Sequence, residues 1–130
     1  MKFEIITLFP DYFSQSLKQS LLGKAIDEGI VQIELIDLRN FATDKHRTVD
    51  DTPFGGGGGM VMKLEPLDNC LKSLGYSHKS EKKSNKNERI ILTSAAGETF
   101  NQPKTIEYSL CERITIICGH YLGVDERLVE

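Results

Sequence analysis

Cysteine is scarce in this 130-residue sequence, which contains only Cys70, Cys111 and Cys118. Their small number and wide spacing argue against a zinc knuckle and against a CxxC redox motif, since both need closely spaced pairs. An odd count is also atypical of a disulfide framework. We therefore expect buried, reduced thiols.

Long apolar stretches are also missing, because no run of apolar residues is long enough to cross a bilayer. The short apolar run at the N-terminus is interrupted by Glu4 and is not followed by a cleavage signal. We therefore expect a protein without a membrane segment, located in the cytoplasm.

An excess of positive charge is lacking as well, since the formal net charge is −3. The overall field therefore gives no attraction to nucleic acid, and any RNA binding must rely on local basic patches. No tract is strongly biased in composition, and 39% of the residues are hydrophobic. This length and composition predict one folded domain over residues 1–130 with a single core.

What is present is an alternation of strand and helix patterns. Apolar, β-branched segments predict strands at residues 3–8, 31–36, 90–92 and 114–117. Helical spacing of apolar residues and helix-start signals predict helices at residues 12–28, 65–74 and 102–110, the first two ended by Gly29 and Gly75. This order predicts an α/β fold with a mainly parallel sheet and helices on both faces.

Three further segments are predicted to be two loops and the beginning of a helix. Residues 37–62 predict a long loop, and loops of that length are usually functional. The polar, basic residues 78–89 predict a solvated loop, which we prefer to an RNA contact. Residues 124–130 are typical of the first turns of a helix.

Two loops follow predicted parallel strands and are candidates for ligand binding. Residues 93–97 follow the third strand, and residues 118–123 follow the fourth. Ligands in open α/β sheets bind beyond the carboxyl ends of the strands, and small residues let a ligand approach the backbone. On spacing alone, ordinary strand-to-helix turns are the better interpretation.

A run of five glycines occupies residues 55–59 and invites comparison with phosphate-binding loops. Residues 60–63 read Met-Val-Met-Lys, so the Lys-Ser/Thr pair of a Walker loop is absent, and no GxGxxG follows the first strand. A nucleotide-phosphate enzyme is therefore our last-ranked hypothesis. The run is either a flexible loop or a loop that a ligand or partner orders.

Residues 44–51 concentrate cations and acids just before the glycine run. Lysine and arginine can hold phosphates while an aspartate accepts from a guanine N–H, so the cluster suits RNA. A self-neutralising surface loop explains the same composition. His78 and His120 are distant in sequence from cysteine or acid clusters, so no metal site is predicted.

Taken together, four segments resemble, in order, the N-terminal domain of the tRNA (guanine-N1)-methyltransferase family, in the SPOUT class of knotted methyltransferases. They are Leu8-Phe9-Pro10, residues 46–51, residues 54–60 and residues 117–127. The resemblance covers essentially the whole chain. It therefore favours ligand-binding loops over ordinary turns.

The resemblance implies methyl transfer from S-adenosylmethionine to N1 of the guanosine 3′ of the anticodon, at position 37. It also implies tRNA as a partner and an obligate homodimer in which both subunits contribute to each site. Guanine N1 carries a proton, so a carboxylate base must remove it while the sulfonium methyl is aligned. The guanine must also be turned out of its stack.

The family's functional residues can be transferred by position. The cofactor-binding residues implied are Leu92, Thr93, Ser94, Ala95, Gly119, Tyr121 and Gly123. The tRNA-binding residues implied are Lys45, His46, Arg47, Asp50, Gly55, Gly56 and Gly57.

The sequence departs from the family's pattern at two positions, with Leu122 where an acid is usual and Gly58 where a proline is usual. Leu122 removes a carboxylate that could contact the ligand's amino group or a magnesium ion. Gly58 should loosen the glycine run.

The family's Asp base, its partnering Arg, its last cofactor loop and its C-terminal tRNA-binding domain fall beyond Glu130. We therefore expect a truncated methyltransferase domain that does not methylate tRNA alone and forms the sheet without completing the knot. The competing hypothesis is a non-catalytic cofactor- or RNA-binding module derived from the family.

Overall fold

The computed structural model describes residues 1–53, 55–77, 87–125 and 127. The chain divides into two compact units, each built from two separate stretches. The first, here the sheet unit, comprises Met1–Ile36 and Ser84–Cys118; the second, here the loop unit, comprises Asp37–Lys83 and Gly119–Glu130.

Strands and helices largely alternate along the chain. They are β1 (Lys2–Thr7), α1 (Pro10–Ser16), α2 (Ser20–Asp27), β2 (Gln32–Asp37), a 3-10 helix (Leu38–Phe41), β3 (Asp50–Asp51), β4 (Val61–Met62), α3 (Leu64–Ser73), β5 (Glu88–Leu92), α4 (Gln102–Ser109) and β6 (Arg113–Ile117). The exceptions to the alternation are that α2 follows α1 and β4 follows β3. No helix in the described stretches combines the length and apolar character needed to cross a membrane.

The sheet unit is organised around a four-stranded sheet in the order β2-β1-β6-β5. β6 pairs in parallel with both β1 and β5, and Ile116 lies opposite Ile5 on one side and Ile91 on the other. Central parallel strands are usually covered on both faces, in agreement with the burial of Ile114, Thr115 and Ile117 in β6. The predicted mainly parallel sheet is confirmed, and the carboxyl ends of three strands lie at one edge.

The predicted single helix over residues 12–28 is wrong, because the chain breaks between α1 and α2. Ser20 adopts a φ of +55°, and the backbone N–H groups of residues 17–19 donate back to the carbonyls of Phe13, Gln15 and Ser16 in α1. A Cβ on Gly23 would lie 2.5 Å from the carbonyl oxygen of Lys18. The side chain of Leu21, predicted to pack, is instead exposed.

The predicted loop over residues 37–62 is also more structured than expected. It contains the 3-10 helix, where the side chain of Asp37 accepts from the backbone N–H of Arg39. It also contains β3 and β4, which form an antiparallel pair. These elements are too short for sequence periodicity to detect, since two-residue strands have no measurable alternation.

The other helix boundaries agree with the sequence signals. Gly29 and Gly75 follow α2 and α3 with positive φ angles of +73° and +88°, which suits glycine after a helix. The side chain of Asn101 caps α4 by accepting from the backbone N–H of Lys104 at 3.1 Å. In the loop unit, the 3-10 helix packs against α3, and Leu38 and Leu67 are fully buried there.

Two predicted segments are only partly covered by the described residues. Most of the polar loop at residues 78–89 lies outside them, although Glu88 and Arg89 belong to β5. Val124 forms a parallel β-bridge with Met62, so the predicted helix does not begin at that residue. Residue 126 and residues 128–130 lie outside the described part of the chain.

The predicted state of the cysteines is confirmed in part: all three are free, Cys70 and Cys111 are buried and Cys118 is half-buried.

Candidate cofactor and RNA site

The first candidate loop, residues 93–97, begins where β5 ends. The backbone N–H and the hydroxyl of Thr93 both donate to the carbonyl oxygen of Ile117, at 3.0 and 3.2 Å. Ser94 then closes a tight turn, since its hydroxyl accepts from Ala96 N–H and its carbonyl from Gly97 N–H, both at 3.2 Å. The loop is therefore fixed to the sheet edge at its start and bends sharply after it.

A cavity of about 760 Å³ lies in the sheet unit beside this loop. It extends from Phe3 and Ile114 in the strands to Thr93 and Ser94 beyond the carboxyl end of β5, and α4 also lines it. Its remaining lining residues are mostly apolar or hydroxyl-bearing: Met1, Ile90, Ile91, Leu92, Gly97, Glu98, Phe100, Lys104, Thr105, Tyr108, Ser109 and Ile116. The volume lies within the range of small-molecule sites, and the lining combines apolar and polar groups as such sites do.

Three predicted cofactor residues, Leu92, Thr93 and Ser94, line this cavity, whereas Ala95 does not. Sequence reasoning missed the aromatic wall on the opposite side, where the rings of Phe100 and Tyr108 stack with centroids 6.0 Å apart. The spacing of these two aromatics carried no signal, because one precedes α4 and the other lies within it.

The second candidate loop belongs to the loop unit, where Gly119, Tyr121 and Gly123 lie within one turn. Tyr121 and Gly123 have φ angles of +58° and +135°, and Gly123 N–H donates to the carbonyl of His120 at 3.2 Å. A Cβ on Gly123 would meet nothing within 4 Å, so the backbone is open to approach there. The His120 and Tyr121 rings make an edge contact at 4.6 Å.

Cys118 precedes this loop at the end of β6, in the sheet unit. Its backbone N–H donates to the carbonyl of Ile6 at 2.9 Å, and burial raises the pKa of its thiol. The thiol is therefore neutral at physiological pH, which makes it a poor nucleophile.

The predicted basic cluster forms a turn in the loop unit that displays its cations. The carboxylate of Asp44 accepts from the backbone N–H and the hydroxyl of Thr48, at 2.8 and 2.6 Å. These hydrogen bonds lower the pKa of Asp44 and close the turn. Lys45, His46 and Arg47 lie between the two residues and are exposed, and Arg47 has a φ of +54°.

The side chain of Arg47 is also fixed by hydrogen bonds, since its guanidinium donates to the side chain of Asn40 and to the carbonyl of Arg39. The remaining predicted tRNA residues follow along the chain. Asp50 is half-buried in β3, and the exposed glycine run connects β3 to β4. The loop unit thus contains every predicted tRNA residue together with Gly119, Tyr121 and Gly123.

A second, polar cavity of about 360 Å³ in the loop unit was not predicted from sequence. Its lining combines acids with two cations: Asp51, Thr52, Val61, Lys63, Leu64, Glu65, Asp68, Asp125 and Arg127. The Arg127 guanidinium contacts the Asp125 carboxylate at 2.9 and 2.5 Å and lowers the pKa of that carboxyl. The adjacent charges at residues 125 and 127 were the signal available in the sequence.

Comparison with known proteins shows which family the sequence matches. The sequence model of the family described as tRNA (Guanine-1)-methyltransferase TrmD matches residues 1–130. A tRNA (guanine-N(1)-)-methyltransferase from Nostoc sp. strain PCC 7120 is 47% identical over 130 residues, which are 99% of this chain and 48% of that protein. The Geobacter metallireducens protein of the same name is 43% identical, over 100% of this chain and 50% of that protein.

Among solved structures, the chain is similar to a tRNA (m1G37) methyltransferase from Aquifex aeolicus. The TM-score is 0.80 at 36% sequence identity, covering 98% of this chain and 55% of that one. The predicted SPOUT-like α/β fold is thereby confirmed. The chain spans about half the length of the curated relatives it matches.

Proposed function

Because the chain belongs to the tRNA (guanine-N1)-methyltransferase family, we propose that it forms the S-adenosylmethionine-binding domain of an enzyme that methylates guanine N1 in tRNA. The observation that carries the proposal is the cavity along the strands of the sheet, which reaches Leu92, Thr93 and Ser94 at and beyond the carboxyl end of β5. The end of the cavity at Thr93 and Ser94 lies where α/β folds place their ligands.

The chemistry of the cavity fits an adenosine-containing ligand. Its long apolar wall and the stacked rings of Phe100 and Tyr108 suit a flat base. The hydroxyls of Ser94, Thr105 and Ser109 can exchange hydrogen bonds with a ribose. We include Ala95, Gly119, Tyr121 and Gly123 as further cofactor contacts on the strength of the family resemblance.

When bound, S-adenosylmethionine supplies an electrophilic methyl group on its sulfonium. This chain's residues contribute binding and orientation, because alignment of that methyl with guanine N1 can account for a large part of the barrier. The proton on N1 must pass to a base, and we assign that role to no described residue of this chain. Leu122 carries no carboxylate, so we assign it no role toward magnesium.

For the tRNA, we propose that Lys45 and Arg47 hold backbone phosphates and that His46 adds a donor. All three are exposed in the turn between Asp44 and Thr48. Asp50 is proposed as an acceptor for a guanine N–H, and Gly55, Gly56 and Gly57 let the RNA approach the backbone. We also propose that guanosine 37 is the target, that the enzyme acts as a homodimer and that it is located in the cytoplasm.

The proposal is tested with the intact gene product that contains this chain, using tRNA transcripts that differ only at position 37. Methyl transfer from labelled S-adenosylmethionine to a transcript with G37, mapped to N1 by mass spectrometry of the nucleosides, is the expected result. A transcript with A37 is the matched control and should stay unlabelled. Absence of transfer to G37, or equal labelling of both transcripts, would contradict the proposal.

A further inference from the structure

One side-chain contact joins the five-glycine run to the turn at residues 119–123. A Cβ placed on Gly59 would lie 2.5 Å from Cδ1 and 2.9 Å from Cγ of Leu122. The leucine side chain therefore fills the space that a side chain at position 59 would need. Gly59 also has a φ of +105°, a conformation that other residues rarely adopt.

The backbone around this contact is paired. Leu122 N–H donates to the carbonyl of Met60 at 2.9 Å, and Met62 N–H donates to the carbonyl of Gly123 at 2.8 Å. Asp125 N–H then donates to the carbonyl of Met62 at 3.2 Å. Leu122 thus lies at the first bond of a short ladder, next to the end of the glycine run.

The rest of the glycine run has no comparable neighbour among the described residues. A Cβ at Gly55, Gly56, Gly57 or Gly58 would meet nothing within 4 Å. Ordering glycine costs more backbone entropy than ordering any other residue, so an unsupported run of five resists a fixed conformation. The contact at Gly59 is the point where this cost can be offset.

We propose that Leu122 is a positioning residue, which fixes the end of the five-glycine run by covering Gly59. Through the ladder, it couples the segment proposed to bind the cofactor to the run proposed to contact tRNA. The naming of these ligands rests on the proposed function, whereas the contact does not. Coupling is reciprocal, so a ligand that holds residues 119–123 also orders the glycine run.

The side chain at position 122 decides this contact. Leucine gives Gly59 an apolar cover although 67% of the residue is exposed. The carboxylate that the family resemblance leads us to expect there would keep its hydration instead of packing on the glycine Cα. The departure from the family pattern therefore exchanges a charge for a packing contact.

The first test uses the 130-residue chain labelled with ¹⁵N-glycine, which gives a spectrum of only eleven glycines. Backbone order parameters of Gly57, Gly58 and Gly59 are measured for the wild type and for Leu122→Ala. In the wild type, Gly59 should lie near the rigid value of about 0.85, and in the variant it should fall below roughly 0.6. An unchanged Gly59 in Leu122→Ala would overturn the proposal.

Matched variants separate positioning from general loosening. Leu122→Met keeps an apolar cover and should preserve the order of Gly59, whereas Leu110→Ala removes another exposed leucine, at the C-cap of α4, and should leave the order of Gly59 unchanged. Signals of Gly29 and Gly75, which follow helices in the two units, report whether each variant is folded. Loss of order at Gly59 in Leu110→Ala would contradict the assignment to Leu122.

The second test adds S-adenosylhomocysteine and measures its binding by calorimetry. In the wild type, the ligand should raise the order parameters of the glycine run. In Leu122→Ala, the dissociation constant should stay within about tenfold of the wild-type value, but the run should remain disordered with ligand bound. Equal ordering of the run in both proteins would overturn the coupling. If the wild type does not bind the ligand, the proposed cofactor fails, while the first test still decides the role of Leu122.

Discussion

Glu4 is an acid that the fold buries completely, in the middle of β1. The hydroxyl of Thr115 donates to it at 2.7 Å, and the guanidinium of Arg113 donates to both of its oxygens at 3.0 Å. Lys2 lies 3.0 Å away and also contacts Glu34. Burial alone would raise the pKa of Glu4, but the hydrogen bonds from Thr115, Lys2 and Arg113 outweigh it, so the pKa is lowered.

Replacing Glu4 with glutamine should destabilise the chain by about 2–4 kcal/mol at neutral pH, because Arg113 and Lys2 lose a buried partner. Urea unfolding followed by circular dichroism measures this difference. The matched control is Glu34→Gln, which removes an exposed partner of Lys2 and should cost at most about 1 kcal/mol. Equal losses in the two variants would contradict the role given to burial.

The same residue predicts a pH dependence. Because the folded-state pKa of Glu4 lies below its ordinary value of 4.5, its stabilising contribution is complete above that value. The contribution is lost as the pH falls through the lower folded-state pKa. The gap between wild type and Glu4→Gln should therefore narrow as the pH falls below about 4.5, and a gap that widens there would reverse the sign of our argument.

At the scale of elements, the break between α1 and α2 shows where sequence periodicity fails. The apolar residues keep helical spacing from Phe13 to Ile26, so the pattern predicts one helix. The break depends on a close backbone approach between Gly23 and Lys18, and no pattern of apolar residues encodes that approach. A glycine inside a predicted helix was the available signal.

Gly23→Ala should therefore destabilise the chain by about 1–3 kcal/mol, because the new methyl overlaps the Lys18 carbonyl. Gly58→Ala is the matched control, since a Cβ there has open space and its φ is not positive. The control should stay within about 0.5 kcal/mol of wild type in thermal or urea unfolding. A tolerated Gly23→Ala would show that the turn can move and that the contact does not define the break.

The turn from Asp44 to Thr48 belongs to the same scale, and its proposed role is to hold phosphates. Combining Lys45→Gln with Arg47→Gln should weaken tRNA binding and reduce the slope of log affinity against log salt by about 1.4–1.8, the value for two lost contacts. Filter binding at several salt concentrations measures both. Lys18→Gln with Lys24→Gln removes two exposed charges from the sheet unit and should change neither quantity. An equal effect of the two pairs would indicate non-specific attraction.

At the scale of the whole molecule, the sequence was enough to predict a mainly parallel sheet with helices, although not the break between α1 and α2. Parallel pairing follows from the alternation of elements and from the handedness of crossovers, whereas the strand order β2-β1-β6-β5 was not predicted. The small β3–β4 sheet and the ladder between residues 60–62 and 122–125 could not be predicted, because they depend on contacts between distant short segments. In the candidate site, Leu92, Thr93 and Ser94 were predicted from the sequence and line one cavity. The aromatic pair in its wall, Phe100 and Tyr108, could be identified only in the folded structure.

Calorimetric titration of the 130-residue chain with S-adenosylhomocysteine tests the central claim most directly. We expect saturable one-to-one binding that Ser94→Phe abolishes, because the new ring obstructs the end of the cavity beyond β5, where the family resemblance places the cofactor. Ala96→Phe is the matched control, since Ala96 lies in the same loop but does not line the cavity, and it should bind as wild type does. Absence of binding by the wild type, or equal binding by wild type and Ser94→Phe, would contradict the assignment of this cavity to the cofactor.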